Sequence, residues 1–357
     1  MGWPPSPTSM SESDPRVGPL AGVRFLELAG GFAVATTGRA LADLGAEVTV
    51  IMRSSSSRGD VFGFLDGGKG TLSVPDDGLA HVFAEALTGA YGAVLDGSAD
   101  PVLERLALDS NAAVVLRFGA EPEGRSAAAV IFHRAGQSMI DTPGGFPVAP
   151  PGNLPYYDAA MTGVFAVLAT RWSTSDTPVA EPMVVDITAE DVELAHGRPD
   201  LTRAAYEGGS NEKDPFLALF LRCRDGELAA HVNHSYWSEW IHIVGKPELD
   251  ADPRFASMAD LLDHQVEAVA ELEDWCAKHT RAEVERVCQA RGVPAGSVLN
   301  PHEVAADPQL VHRSFTDESG RPAALPFVLS DGTRWMAQER SKPELRLASE
   351  LSVSAPS

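Results

Sequence analysis

An alternation of short apolar runs with helix-like segments fills the first half of the chain and restricts the folds open to it. Residues 23–28 form an apolar run typical of a buried strand, and residues 29–35, which include two glycines, are typical of a loop. A helical pattern then ends at Gly45, and residues 47–51 form a second β-rich run. Because parallel strands need a crossover connection, this order predicts a parallel sheet.

The alternation continues along the first 200 residues. Further strands are predicted at 93–95, 113–116 and 184–187. Helices are predicted at about 78–88 and 102–106, at about 158–172 after a stretch rich in proline and glycine (143–155), and from 188 onward. From residue 216 the pattern changes to two β-runs, joined by a predicted turn at Asp225–Gly226, and then mostly to helices.

These patterns predict an α/β protein with a large domain built on a Rossmann-like open parallel sheet and a smaller α+β domain. The predicted division is a disordered tail at 1–18, the first part of the large domain at 19–200, the small domain at 201–300, and a truncated return segment of the large domain at 301–357.

Charge and composition exclude several classes of partner. The chain has 28 basic and 50 acidic residues, a formal charge of −22 that repels nucleic acid and anionic membranes. A site for a phosphorylated ligand must therefore carry its own cation or helix N-terminus. No apolar run approaches the roughly 20 residues that cross a bilayer. Three scattered cysteines, without metal-ligand spacing, indicate a reducing compartment, and we predict the cytoplasm.

Several separated stretches together resemble the family III CoA-transferases, which include formyl-CoA transferase, carnitine CoA-transferase and the α-methylacyl-CoA racemases. All of them follow the family's order, from residue 19 to about 310. They are residues 19–24 with 41–48, 69–74, 102–109, 245–249 with 252–256, 280–283, and 292–296 with 303–304 and 307–309. The resemblance implies a soluble enzyme that acts on acyl-CoA and carboxylic acids, and an interlocked homodimer with active sites at the subunit interface.

The resemblance also implies a catalytic aspartate. Family transferases use one aspartate to attack the donor thioester, form a mixed anhydride and then carry CoA as an aspartyl thioester. Asp158, which follows the segment rich in proline and glycine, matches that position. A second alignment places Asn153 there, and an amide cannot perform this chemistry. Considered without the family, an aspartate at a helix start is an N-cap.

The resemblance assigns CoA contacts to Arg53 after the second strand, to Lys69, and to Ala33 in the first loop. Each of the two cations alone would be interpreted as a solvated surface charge. Several family features are missing, since Met52 replaces an acidic residue and residues 97–101 contain no arginine.

Histidines raise further possibilities. Residues 126–130 lack the acid or base of the racemases, and His133 lies nearby as a candidate substitute or as a structural histidine. A group of histidines and tryptophans at 231–242 either lines a cleft or packs in a core. Its spacing is not that of a metal site, and we predict no metal.

Three functions fit these residues. The first is a CoA-transferase acting through Asp158, and the second is racemase-like transfer of the proton α to the thioester. The third is a homologue that no longer uses CoA and instead binds another small molecule or a partner.

Overall fold

The protein is described by a computed structural model. The described residues are 18–56, 59–97, 99–119, 126–136, 149–150, 152–174, 181–197, 202, 205–206, 218–313, 315–316 and 345–347. Contacts between residues divide the chain into two units. The first unit contains the described residues up to 208 and from 311 onward, and the second contains those from 209 to 310.

A seven-stranded parallel sheet forms the centre of the first unit. The ten strands of the described chain are β1 (Arg24–Leu28), β2 (Glu47–Arg53), β3 (Gly70–Val74), β4 (Gly92–Asp96), β5 (Val114–Phe118), β6 (Met183–Ile187), β7 (Ala218–Cys223), β8 (Gly226–His231), β9 (Ala295–Ser297) and β10 (Leu345–Leu347). The sheet has the order β10-β3-β2-β1-β4-β5-β6. Every neighbouring pair is parallel, as the alternation predicts. The strand order reverses beside β1, which pairs with β2 on one side and β4 on the other.

Helices connect these strands. They are α1 (Phe32–Asp43), α2 (Asp60–Leu65), α3 (Leu79–Leu87), α4 (Pro101–Leu108), α5 (Ser126–Arg134), α6 (Leu154–Ser173), α7 (Ala189–His196), α8 (His234–Ile243), α9 (Met258–Asp263), α10 (Gln265–Cys276), α11 (Arg281–Ala290), α12 (Pro301–Ala305) and α13 (Pro308–His312). Two 3₁₀ turns cover Pro247–Ala251 and Pro253–Phe255. Apolar residues of the helices and strands form two separate clusters in this unit, so both faces of the parallel sheet are covered.

Helix α6 lies close to the sheet because its inward face carries small residues. A Cβ atom added to Gly163 would lie 2.8 Å from Cζ of Phe118 on β5, and Ala159 and Ala160 are fully buried. Helix α1 packs against the same helix. These contacts also fix the position of the α6 residues that do not face the sheet, including Asp158.

The second unit contains an antiparallel sheet in the order β7-β8-β9 and a core of its own. Trp237 and Trp240 are buried in that core, and Trp240 donates to the carbonyl of His231 at 3.3 Å. Packing therefore accounts for the tryptophans of the 231–242 group. The predicted turn at Asp225–Gly226 is wrong by one residue: Gly226 pairs with Cys223, which leaves Arg224 and Asp225 as the turn.

A second difference concerns the first loop. The predicted loop at 29–35 is shorter, because α1 begins at Phe32 after its N-cap Gly31. The Gly31 N–H donates to Oδ2 of Asp96 at 2.8 Å, so a carboxylate from the end of β4 lies at the start of the helix. Asp and Glu are favourable there because helix N-termini carry partial positive charge. This carboxylate stabilises the helix start in a segment where the glycines suggest only a loop.

A buried ion pair joins β1, α1 and the turn before β3. The Lys69 ammonium lies 2.5 Å from Oε2 of Glu27, and both side chains are 0% exposed. Lys69 also donates to the carbonyl of Ala35 on α1 at 2.9 Å. A Cβ on Gly38 would lie 1.9 Å from the same Glu27 oxygen, so α1 approaches the pair through a glycine.

We expect Lys69→Met to lower the free energy of unfolding by about 3–5 kcal/mol, because it leaves the Glu27 carboxylate buried without its cation. Urea unfolding measures this loss. Arg105→Met removes the cation of an exposed pair with Asp109 and serves as the matched control, with a much smaller loss expected. Equal losses in the two variants would contradict a structural role for the buried pair.

Candidate active site

Asp158 lies in the second turn of α6. The N-cap of this helix is Asn153, whose carbonyl accepts from the N–H groups of Tyr156 and Tyr157. The interpretation of Asp158 as an N-cap is therefore wrong, and Asn153 occupies that position instead. The Asp158 side chain is half-buried, and it lies on the side of α6 that faces α7.

Helix α7 brings two titratable side chains to Asp158. Thr188 caps this helix by accepting from the N–H of Asp191 at 3.1 Å. Glu193 and His196 are three residues apart and so lie on the same side of the helix. Nδ1 of His196 is 3.8 Å from Oδ2 of Asp158. One carboxylate oxygen each of Asp158 and Glu193 and one ring nitrogen of His196 lie within 4.8 Å of one another. We call this group the Asp158 cluster.

Burial dominates the electrostatics of the Asp158 cluster. Glu193 is 2% exposed, whereas Asp158 is half-buried and His196 exposed. Burial raises the pKa of the Glu193 carboxyl, and the charge of Asp158 and a hydrogen bond with Asp158 raise it further. Protonated His196 opposes these effects. Glu193 is thus the group of the cluster that favours its neutral acid form.

The cluster permits two kinds of organic chemistry. An ionised carboxylate that reaches solvent is a nucleophile for activated acyl groups. A histidine beside a carboxylate is a general base for carbon acids. Two carboxylates and an imidazole at this spacing could also hold a divalent cation.

A separate crevice of about 340 Å³ lies at the carboxyl ends of β1, β2 and β4. This is the edge where open α/β sheets bind ligands, at the point where the strand order reverses. Arg53 is the one cation among the described residues lining it, and its guanidinium nitrogens lie 3.3 Å from Asp76 and 3.6 Å from Asp100. Asp96 also lines the crevice. Acidic side chains thus outnumber the cation there.

The other predicted site residues lie outside the Asp158 cluster and do not line the crevice. Lys69 has no exposed surface and its ammonium is paired with Glu27, so its burial does not favour the CoA contact, which stays a prediction. Ala33 is buried within α1 rather than exposed in a loop, which removes its side chain from the candidate contacts. His133 is exposed on α5 and is not part of the Asp158 cluster.

Sequence reasoning missed Glu193 and His196. Their three-residue spacing on the helix after β6 was a usable signal, because that helix must pack beside α6 to cover the same face of the sheet. The signal does not specify which residue of α6 they meet. That depends on the close approach of α6 at Gly163.

Comparison with known proteins identifies the family. The family model for CoA-transferase family III matches residues 126–345, and the chain belongs to this family. A CaiB/BaiF family protein from Brucella suis has the same mixed α/β fold, with a TM-score of 0.75, 18% identity, and coverage of 92% of this chain and 96% of that one. A hypothetical protein from Mycobacterium tuberculosis aligns with a TM-score of 0.73, 22% identity, and coverage of 92% and 97%.

Similarity to curated relatives is confined to short segments. A probable CoA-transferase of Mycobacterium tuberculosis is 31% identical over 86 residues, which are 24% of this chain and 11% of the relative. A succinyl-CoA–D-citramalate CoA-transferase of Chloroflexus aurantiacus is 33% identical over 70 residues, 20% of this chain and 17% of the relative. The matched segments thus span less than a fifth of these relatives. In the described parts of the chain, no helix combines the length and apolarity that crossing a membrane requires.

Proposed function

We propose that this protein transfers CoA between carboxylic acids and that Asp158 is its nucleophile. The observation that carries the proposal is the position of Asp158 in a chain of CoA-transferase family III. Its carboxylate is half-buried on α6, and the neighbouring Glu193 favours its neutral form.

Each half of the proposed reaction needs two substitutions at carbonyl carbon. An oxygen of the Asp158 carboxylate attacks the donor thioester, the carbon–sulfur bond breaks, and the CoA thiolate leaves a mixed anhydride. The thiolate then attacks the aspartyl carbonyl, which releases the donor acid and forms the aspartyl-CoA thioester. The acceptor carboxylate repeats these steps in reverse and leaves with CoA.

We place the nucleotide part of CoA in the crevice beside Arg53. The ion pairs of Arg53 with Asp76 and Asp100 are long and solvent-exposed, and such pairs contribute little to stability. A phosphate offers Arg53 stronger charge-assisted hydrogen bonds, so exchange of partners is favourable. The surrounding carboxylates reduce the gain, and we expect weaker CoA binding than a crevice with several cations would give.

Transfer of the proton α to the thioester is the second candidate. The pair formed by His196 and Asp158 at 3.8 Å favours it, because it supplies the base that residues 126–130 lack. His196 thereby replaces His133 as the candidate base.

Acyl transfer through Asp158 predicts a covalent adduct. We expect the wild-type protein mixed with an acyl-CoA to gain the mass of acyl or CoA, measured on the intact protein, and hydroxylamine to remove it. Asp158→Asn should form none, since an amide is not a nucleophile of this kind. Asp191→Asn removes an exposed carboxylate from α7 and should keep the adduct.

Two results would contradict acyl transfer through Asp158. Deuterium from solvent at the α carbon without an adduct would support proton transfer instead. The absence of any binding of acyl-CoA would support a homologue that has lost CoA chemistry.

We further propose that a second copy of the chain covers an exposed apolar face of α6, forming the interlocked dimer that the family resemblance implies. The face is a stripe with helical spacing, made of Leu154, Tyr157, Met161, Phe165, Leu168 and Trp172. Phe165 is 73% exposed and Trp172 is 86% exposed. Contiguous apolar surface of this kind marks interaction sites.

The dimer predicts a defined effect of charge on this face. We expect the wild type to have twice the chain mass by light scattering, and Phe165→Glu to shift it toward the monomer because it buries a charge at the interface. Val102→Glu alters an exposed apolar residue on α4 and should remain dimeric. A monomeric wild type would contradict the proposal.

Three cysteine thiols provide an argument about the cellular compartment in which the protein acts. Cys223, Cys276 and Cys288 are free and buried in the second unit. Burial raises the pKa of the Cys276 and Cys288 thiols to about 12, which keeps them protonated. We propose that the protein acts in a reducing compartment, the cytoplasm.

A further inference from the structure

The contact between Glu193 and Asp158 has a consequence beyond the choice of nucleophile. Glu193 is almost completely enclosed on α7, and an oxygen of its carboxyl group lies within 4.8 Å of a carboxyl oxygen of Asp158. A hydrogen bond with Asp158 is among the causes that raise the pKa of Glu193. Two carboxyl groups form such a bond only when one of them carries a proton. Burial favours Glu193 as the partner that carries the shared proton.

The charged groups around Glu193 determine when that proton is lost. On α6 the relevant group is Asp158, and on α7 it is His196. Helix α5 also packs against α7 and carries His133 and Arg134, of which Arg134 pairs with Glu190 at 2.6 Å. Elsewhere on these helices, Arg171 lies over the ring of Tyr91, and Asp191 is exposed. Among the described residues, Asp158 and His196 are thus the charged groups that act on Glu193.

We propose that Glu193 is a positioning residue for the nucleophile. As a neutral acid it donates a hydrogen bond to one oxygen of the Asp158 carboxylate, fixes the carboxylate plane and leaves the other oxygen for attack. The inference rests on the proposed role of Asp158. Glu193 keeps its proton during the reaction: the new bond joins Asp158 to the acyl carbon, and the electrons of the broken carbon–sulfur bond leave with the thiolate.

Loss of the Glu193 proton should slow the reaction. An ionised Glu193 removes the donated hydrogen bond and places a second negative charge beside Asp158, so the two carboxylates repel each other. Since the pKa of Glu193 is raised, this loss occurs at higher pH than for an exposed glutamate. Adduct formation in the wild type should therefore slow as the pH rises through that value.

The pH profile of adduct formation tests the positioning role. Glu193→Gln keeps a hydrogen-bond donor but cannot ionise, so it should form adduct near the wild-type rate and lose the decline at high pH. Glu193→Ala should be slower by roughly 10- to 100-fold, the range for a hydrogen bond to a charged group. Glu190→Gln changes a glutamate on the same helix and should keep the wild-type profile. A Glu193→Gln rate as low as that of Glu193→Ala, or an unchanged decline, would overturn the proposal.

A second measurement needs no CoA. Between the pKa of about 4.3 for an unfolded glutamate and the raised value in the folded state, the native protein binds more protons, so stability falls as the pH rises. We expect Tm to fall with pH across this window in the wild type and less in Glu193→Gln, with Asp158→Asn also altered. Equal slopes in all three would overturn the shared proton.

Two further outcomes separate this inference from the proposed function. Suppose that the Tm slopes differ between the variants but the wild type forms no adduct. Acyl transfer and the positioning role would then be refuted, whereas the proton shared by Glu193 and Asp158 would still be supported. A rise in Tm on adding Zn²⁺ or Mn²⁺ that Glu193→Gln abolishes would also overturn the inference, because the cluster would then be a cation site.

Discussion

The buried pair of Glu27 and Lys69 is the interaction on which the first unit most depends. It places a charge from β1 and a charge from the turn before β3 against the backbone of α1, with no exposed surface on either side chain. Removing two charges from water is costly unless both are paired and hydrogen-bonded. The pair therefore requires β1, α1 and the segment before β3 to assemble together. The carboxyl end of β1 also lines the crevice.

The two places that could handle an acyl-CoA differ in how they are built. The crevice lies where open α/β sheets commonly bind ligands, at the reversal of strand order. Its residues are unfavourable for binding a phosphate, because carboxylates lie around Arg53. The Asp158 cluster has more specific chemistry, because the close approach of α6 to β5 and the packing of α7 bring the proposed nucleophile and a buried acid together. The residues on α6 and α7 therefore fit the proposed chemistry better than the residues of the crevice fit a phosphate.

The alternation of strands and helices was predictable because parallel strands buried on both faces have nearly continuous apolar sequences, as in β4 and β5. Asp158 was a candidate only through the family resemblance, since an aspartate near a helix start otherwise indicates an N-cap. The roles of Lys69 and Asp96 were not, since a lone charge has the same sequence signature whether it is solvated or buried in a pair. Glu193 and His196 acquire their meaning from tertiary packing alone, because their partner lies 35 and 38 residues earlier in the chain.

In the proposed reaction Asp158 bonds first to the acyl group and then to CoA, while Arg53 holds the nucleotide. A crystal structure of the protein soaked briefly with an acyl-CoA tests it most directly. We expect electron density continuous with the Asp158 carboxylate and nucleotide density in the crevice beside Arg53. Density joined to another side chain, or nucleotide density away from the ends of β1, β2 and β4, would contradict it.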